Sequence, residues 1–103
     1  MNKEEVAMIG FEVVAFAGEA RSKLMEALSE AEKQNFDRAE ELVEAANASL
    51  IEAHKSQTQM LAAEASGESI ELGFIMVHAQ DHLMTTMLLK DTIKHLFNIY
   101  KKA

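Results

Sequence analysis

Near the start of the last third of the chain stands VHAQDHLMTT, residues 77–86. Two imidazoles and a carboxylate, His78, Asp81 and His82, fall within five residues. On a helix, residues three and four apart share a face, so His78 lies one turn from both Asp81 and His82. Such a trio has two chemistries open to it. An imidazole that is partly neutral near pH 7 is a nucleophile at one nitrogen and can carry a covalent group. The same side chains could instead ligate a metal ion at i, i+3 and i+4. A third reading gives them no chemistry, because polar positions in a helix seam can set register and oligomer number. The flanking stretches LGFIMV and MLLK are apolar. A carboxylate buried alone in such surroundings is costly.

Composition narrows the choice. The 103 residues fit one domain spanning 1–103, with a single small core. With 49% hydrophobic and 26% charged residues the chain reads as globular. It has no proline and is rich in Ala, Glu, Leu and Met, which predicts an all-helical fold. Having no cysteine, it can form no disulfide, no zinc–thiolate site and no thiol nucleophile. The net charge of −7 argues against nucleic acid and against free nucleotides. No G-x-x-x-x-G-K-S/T stretch is present, so there is no P-loop. No apolar run reaches the roughly 20 residues of a membrane span, and no basic-then-apolar leader opens the chain. The expectation is a cytoplasmic protein.

Three helices must position the trio. Val6, Ile9, Val13, Phe16, Ala20, Leu24 and Leu28 recur at three- and four-residue steps, one face of a long helix. Gly10 and Ala17 suit close packing of a neighbour. KQNFDRAE (33–40) breaks the pattern, with Asn35 as a turn residue and Asp37 with Glu40 as a capping box. The second apolar series runs through Ala39, Val43, Ala46, Leu50, Ala53, Met60 and Leu61. At Gln57 it turns polar, toward the histidine cluster. ASGES (65–69) is the second turn, with Gly67 suited to positive φ and Ser69 to an N-cap. The third helix runs to about Tyr100, and Lys101 and Lys102 complement its negative pole. The expected architecture is an antiparallel three-helix bundle. Each helix of roughly 28 residues would be about 42 Å long.

The third helix has more to bury than such a bundle can cover. One seam reads Phe74, His78, Asp81, Thr85, Leu88, Thr92, His95, Ile99. Beside it runs Ile75, Ala79, His82, Thr86, Leu89, Ile93, Leu96, Tyr100. Only Gln80, Asp91, Lys94, Asn98 and Lys101 form a clear solvent strip. A bundle helix needs one apolar stripe, and this one has about two. Symmetric self-association would cover the second. Copies of Asp81 meeting on an axis would repel. A hard cation such as Mg²⁺ or Ca²⁺ would suit their oxygens.

HAQDHLMT, with EAHKSQTQMLAAEASGE ahead of it and GFEVVAFAGEARSKLMEAL near the start, resembles the enzyme IIA component of the lactose/cellobiose (chitobiose) class of the bacterial sugar phosphotransferase system. The resemblance covers essentially the whole chain. It implies a homotrimer of three-helix bundles with the third helix near the threefold axis. It also implies that the chain accepts a phosphoryl group from the phosphohistidine carrier HPr. The group would then pass to a cysteine of the IIB component, while the membrane IIC component imports the sugar. The family's phosphorylated histidine falls on His78. Its axial aspartate, which shares one Mg²⁺ among three subunits, falls on Asp81. Gln80 and His82 match motif positions without an assigned role, and His54 and Gln57 are candidates for a supporting shell. His95 reads as surface, and the seven methionines as core filler. Two other functions stand beside the carrier. A helical metal-binding bundle would use His78, Asp81 and His82. It is weakened because carboxylate-bridged bundles want Glu-x-x-His pairs on two helices, and the first helix has no histidine. A structural oligomerisation module leaves the cost of His78 and Asp81 unexplained.

Overall fold

The computed structural model describes residues 1–103 as three helices and no strand. They are α1 (Lys3–Glu32), α2 (Phe36–Ala65) and α3 (Phe74–Lys102), in an up-down-up bundle 51 × 20 × 18 Å in extent. Helix α1 is central. It packs along both α2 and α3, while α2 and α3 meet only sparsely.

The reason lies in the small residues of α1. Gly10, Ala17, Ala20, Ala27 and Ala31 are buried together with Val6, Val13 and Leu24. A Cβ added at Gly10 would stand 3.1 Å from Ile75 Cγ2, so the expected close approach is present there and brings the start of α3 against α1. The ridge is narrower than the periodicity suggested. Ile9, Phe16 and Leu28 are only half-buried, at its edges.

Two cap expectations are changed by the structure. The capping box forms at Asn2 and Glu5, where Asn2 Oδ1 accepts from Glu5 N at 2.8 Å. It does not form at Asp37 and Glu40, because α2 begins at Phe36 and Asp37 already lies in its first turn. The N-cap residue Asn35 makes no side-chain cap bond and instead donates its amide to Glu30 Oε2. The positive φ of this turn falls on Gln34 (67°), where Asn35 N reaches back to Glu30 O and Gln34 N to Ala31 O, a Schellman closure. At the second turn Gly67 has φ 100°, as expected, with the same pattern of bonds. Ser69, however, is not the N-cap of α3. The helix starts five residues later, after Gly73, because Glu68, Ser69 and Glu71 are tied to the start of α1. Ser69 O accepts from the Met1 ammonium at 2.8 Å, Glu71 N donates to Met1 O, and Lys3 N donates to Glu71 Oε2. The Glu71 carboxylate thus sits on the free N–H groups of α1, where a negative charge is favoured.

Helix α3 separates its two seams. Ala79, Thr86 and Ile93 of the second seam are buried, and the rest of that seam is half-buried. The core row also takes in Met76, Leu83 and Phe97, which lie off either seam. Every member of the first seam is exposed, including Phe74 at 84%, Leu88 at 67% and Ile99 at 62%. The single bundle leaves that stripe uncovered, as the surplus of apolar positions required.

Candidate functional site

His78 stands one turn inside α3, on the uncovered seam. Its i+4 neighbour His82 packs ring against ring with it, centroids 4.5 Å apart and planes at 70°. This edge-to-face contact restricts rotation of the His78 ring while leaving the residue exposed. His82 is half-buried, and its Nδ1 is buried without a hydrogen-bond partner.

Asp81 does not join the two rings. Its side chain lines a groove of about 370 Å³ between α1 and α3, with Arg21, Met25, Thr85, Thr86 and Leu89. No three His, Asp or Glu side chains of the chain gather into a metal site. The three-ligand arrangement of His78, Asp81 and His82 within one chain is therefore not formed. The physical cause is the 100° turn per residue, which places Asp81 and His82 on opposite flanks of His78. A metal ion could be held by Asp81 only if several chains pooled their carboxylates.

Gln80, expected in the solvent strip, is half-buried and turned toward α2. Gln57 Nε2 donates to Gln80 Oε1 at 2.5 Å and approaches Met84 Sδ at 3.5 Å, while Gln80 Nε2 points to Met76 Sδ. The polar break at Gln57 thus meets the glutamine of the motif and not an imidazole. This clasp pins α2 to α3 where the two helices otherwise touch little. It was legible only as a polar position in an apolar series.

His54 lies elsewhere. It lines a groove of about 430 Å³ between α2 and α3, with Ile51, Lys55, Met87, Lys90 and Asp91 among its neighbours. His95 is exposed, one of the outer positions of α3. Sequence reasoning missed Arg21, the cation that shares a groove with Asp81. Its signal was the absence of any acidic residue three or four positions away on its own helix.

Comparison with known proteins agrees with this architecture. Residues 8–101 match the family described as the lactose/cellobiose-specific IIA subunit of the phosphotransferase system. The lactose-specific EIIA component of Staphylococcus epidermidis is 59% identical over 103 residues, covering 100% of this chain and 99% of that protein. The crystal structure of PtcA from S. mutans superposes with a TM-score of 0.94 at 42% identity, covering 98% of this chain and 99% of that one. The IIA(Chitobiose) chain of Escherichia coli, solved in complex with HPr, gives a TM-score of 0.74 at 31% identity, covering 99% and 96%. No helix here is long and apolar enough to cross a membrane. A match along the whole chain and the shared fold place this chain in the lactose/cellobiose-specific IIA family of the sugar phosphotransferase system.

Proposed function

We propose that the chain is a cytoplasmic phosphoryl carrier whose acceptor is His78. Nε2 of the neutral imidazole attacks the phosphorus of a phosphohistidine on HPr. The new N–P bond forms as the donor's N–P bond breaks, and the donor imidazole keeps the electron pair. In the second transfer the thiolate of a IIB cysteine attacks the same phosphorus. A P–S bond forms, the N–P bond to His78 breaks, and the imidazole returns to its starting state. The IIB phosphocysteine then serves the phosphorylation of a disaccharide of the lactose, cellobiose or chitobiose type as IIC imports it. This chain does not touch the sugar.

The observation that carries this reading is an exposed His78 held edge-to-face by His82, on the face of α3 that the bundle leaves open. Phosphoryl transfer needs mainly positioning and charge neutralisation, because the transition state is loose and in line. A ring fixed at its rim and open at its tip meets the first need. Side chains on a helix point back toward its N-terminus, so the phosphoryl group would lie over the first turn of α3, near the positive pole. The HPr complex of the Escherichia coli relative supports HPr as donor.

The same reading makes the chain a homotrimer with α3 at the threefold axis and the exposed Phe74–Ile99 seam inside it. Three Asp81 carboxylates would then meet and could hold one Mg²⁺, which would neutralise them; the ion has no part in the transfer.

The test is incubation with a phosphorylated HPr-type donor, followed by intact mass and acid treatment. One acid-labile phosphate per chain is expected, and none on His78→Ala. Uptake of the same phosphate on His82 or His54 in that variant would refute the assignment. An acid-stable phosphate would refute phosphohistidine chemistry altogether.

A further inference from the structure

Arg21 and Asp81 are both charges without a partner. Residues three and four away from Arg21 are Ala17, Gly18, Leu24 and Met25, and those around Asp81 are Val77, His78, Met84 and Thr85. Neither helix therefore offers its charge a permanently charged opposite partner at the spacings where side chains meet; the protonatable His78 is the one candidate beside Asp81. The chain's other arginine, Arg38, pairs with Glu41, and Lys23 pairs with Glu19. None of the six ion pairs includes Arg21 or Asp81. Of the two arginines, Arg21 is the one left unpaired.

The two charges face one groove, between α1 and α3. A third group there lacks a partner. Thr86 is 1% exposed, and its Oγ1 is buried with no hydrogen bond. The adjacent Thr85 hydroxyl donates to Asp81 O, so the usual back-bond to the helix is made at Thr85 and not at Thr86. Asp81 and Thr86 thus line the same groove as Arg21. A guanidinium has five N–H donors in a planar fork and can serve both.

We propose that Arg21 is the resident counter-charge of Asp81, its guanidinium closing onto the Asp81 carboxylate and the Thr86 hydroxyl when assembly dries the α1–α3 groove. The proposal rests on the trimer reading given above. It makes the charge at the axis answerable by the protein itself, so that a cation adds to assembly but is not a condition of it.

Sedimentation equilibrium in chelator at low ionic strength tests this, with circular dichroism confirming that each variant is folded. Wild type is expected to remain trimeric. Arg21→Gln keeps a hydrogen-bonding amide but loses the charge, and its trimer should dissociate on the order of tenfold more readily. Mg²⁺ should restore it, and Arg21→Lys should behave nearly as wild type. In an Asp81→Leu background Arg21→Gln should not weaken the trimer, since the charge it answers is gone and the guanidinium would be left unpaired. A chelated Arg21→Gln trimer as tight as wild type would overturn the proposal. So would equal weakening in the Asp81→Leu background, which would make Arg21 a packing residue. Wild type sedimenting as a single chain in both chelator and Mg²⁺ would instead overturn the trimer reading, and the counter-charge with it.

Discussion

Replacing Asp81 by Leu tests the assembly from the side of its least favourable group. In the proposed trimer, three Asp81 carboxylates would approach one axis. Two unit charges about 4 Å apart repel by about 1 kcal/mol in water and about 4 kcal/mol at an effective dielectric near 20. Three such pairs cost about 3–12 kcal/mol, comparable to the whole stability of a small domain, about 5–15 kcal/mol. The opposing drive comes from the same seam. Phe74, Leu88 and Ile99 are 84%, 67% and 62% exposed in the single bundle. Burying a large apolar side chain fully contributes about 1.5–3 kcal/mol, an upper figure for side chains already partly covered. Asp81→Leu removes the repulsion and extends the apolar seam by one residue per chain. The variant should therefore be trimeric in chelator and melt at or above the temperature of wild type, as apolar replacements of buried charges often do. Wild type should lose thermal stability when divalent ions are withdrawn and regain it with Mg²⁺, whereas the Leu variant should not respond. Phosphoryl uptake on His78 should survive. The assay is paired calorimetry and sedimentation with and without chelator. A monomeric Asp81→Leu protein would refute the reasoning, because Asp81 would then be holding the chains together. Wild-type melting indifferent to both chelator and Mg²⁺ would refute a role for the ion.

Two further predictions concern the frame of the site. Gly67→Ala should lower stability by about 1–2 kcal/mol, since φ is 100° there and a Cβ meets nothing within 4 Å, so the cost is backbone strain alone; urea melts with an unchanged midpoint would contradict it. Gly10→Val should cost about 1–3 kcal/mol by overpacking against Ile75, and should slow phosphoryl uptake because it shifts the first turn of α3 beneath His78; full stability with normal uptake would show that the α1–α3 contact is slack.

Much of this protein could be read before its structure. The all-helical class, the two turns, the positive φ of Gly67 and the surplus stripe on α3 all follow from local rules. Proline and cysteine are absent, apolar residues recur at helical spacing, and a helix cannot hide two apolar stripes in one three-helix bundle. His78 stood out as a candidate because residue type and i, i+4 company are both local; its part as phosphoryl acceptor comes from the family resemblance and is the proposal made above. What the tertiary structure decided was which helix lies at the centre and where each flank of α3 points. Ser69 could have capped α3, but the chain end of α1 claims residues 68–71 and delays the helix to Phe74. Asp81 shares a sequence motif with His78 and His82, yet the turn of the helix sends it to the groove of Arg21, on another helix. Gln57 meets Gln80 for the same reason, across two helices whose register no single-helix pattern records. Local spacing specifies which residues share a face; only packing against a neighbour specifies what that face meets.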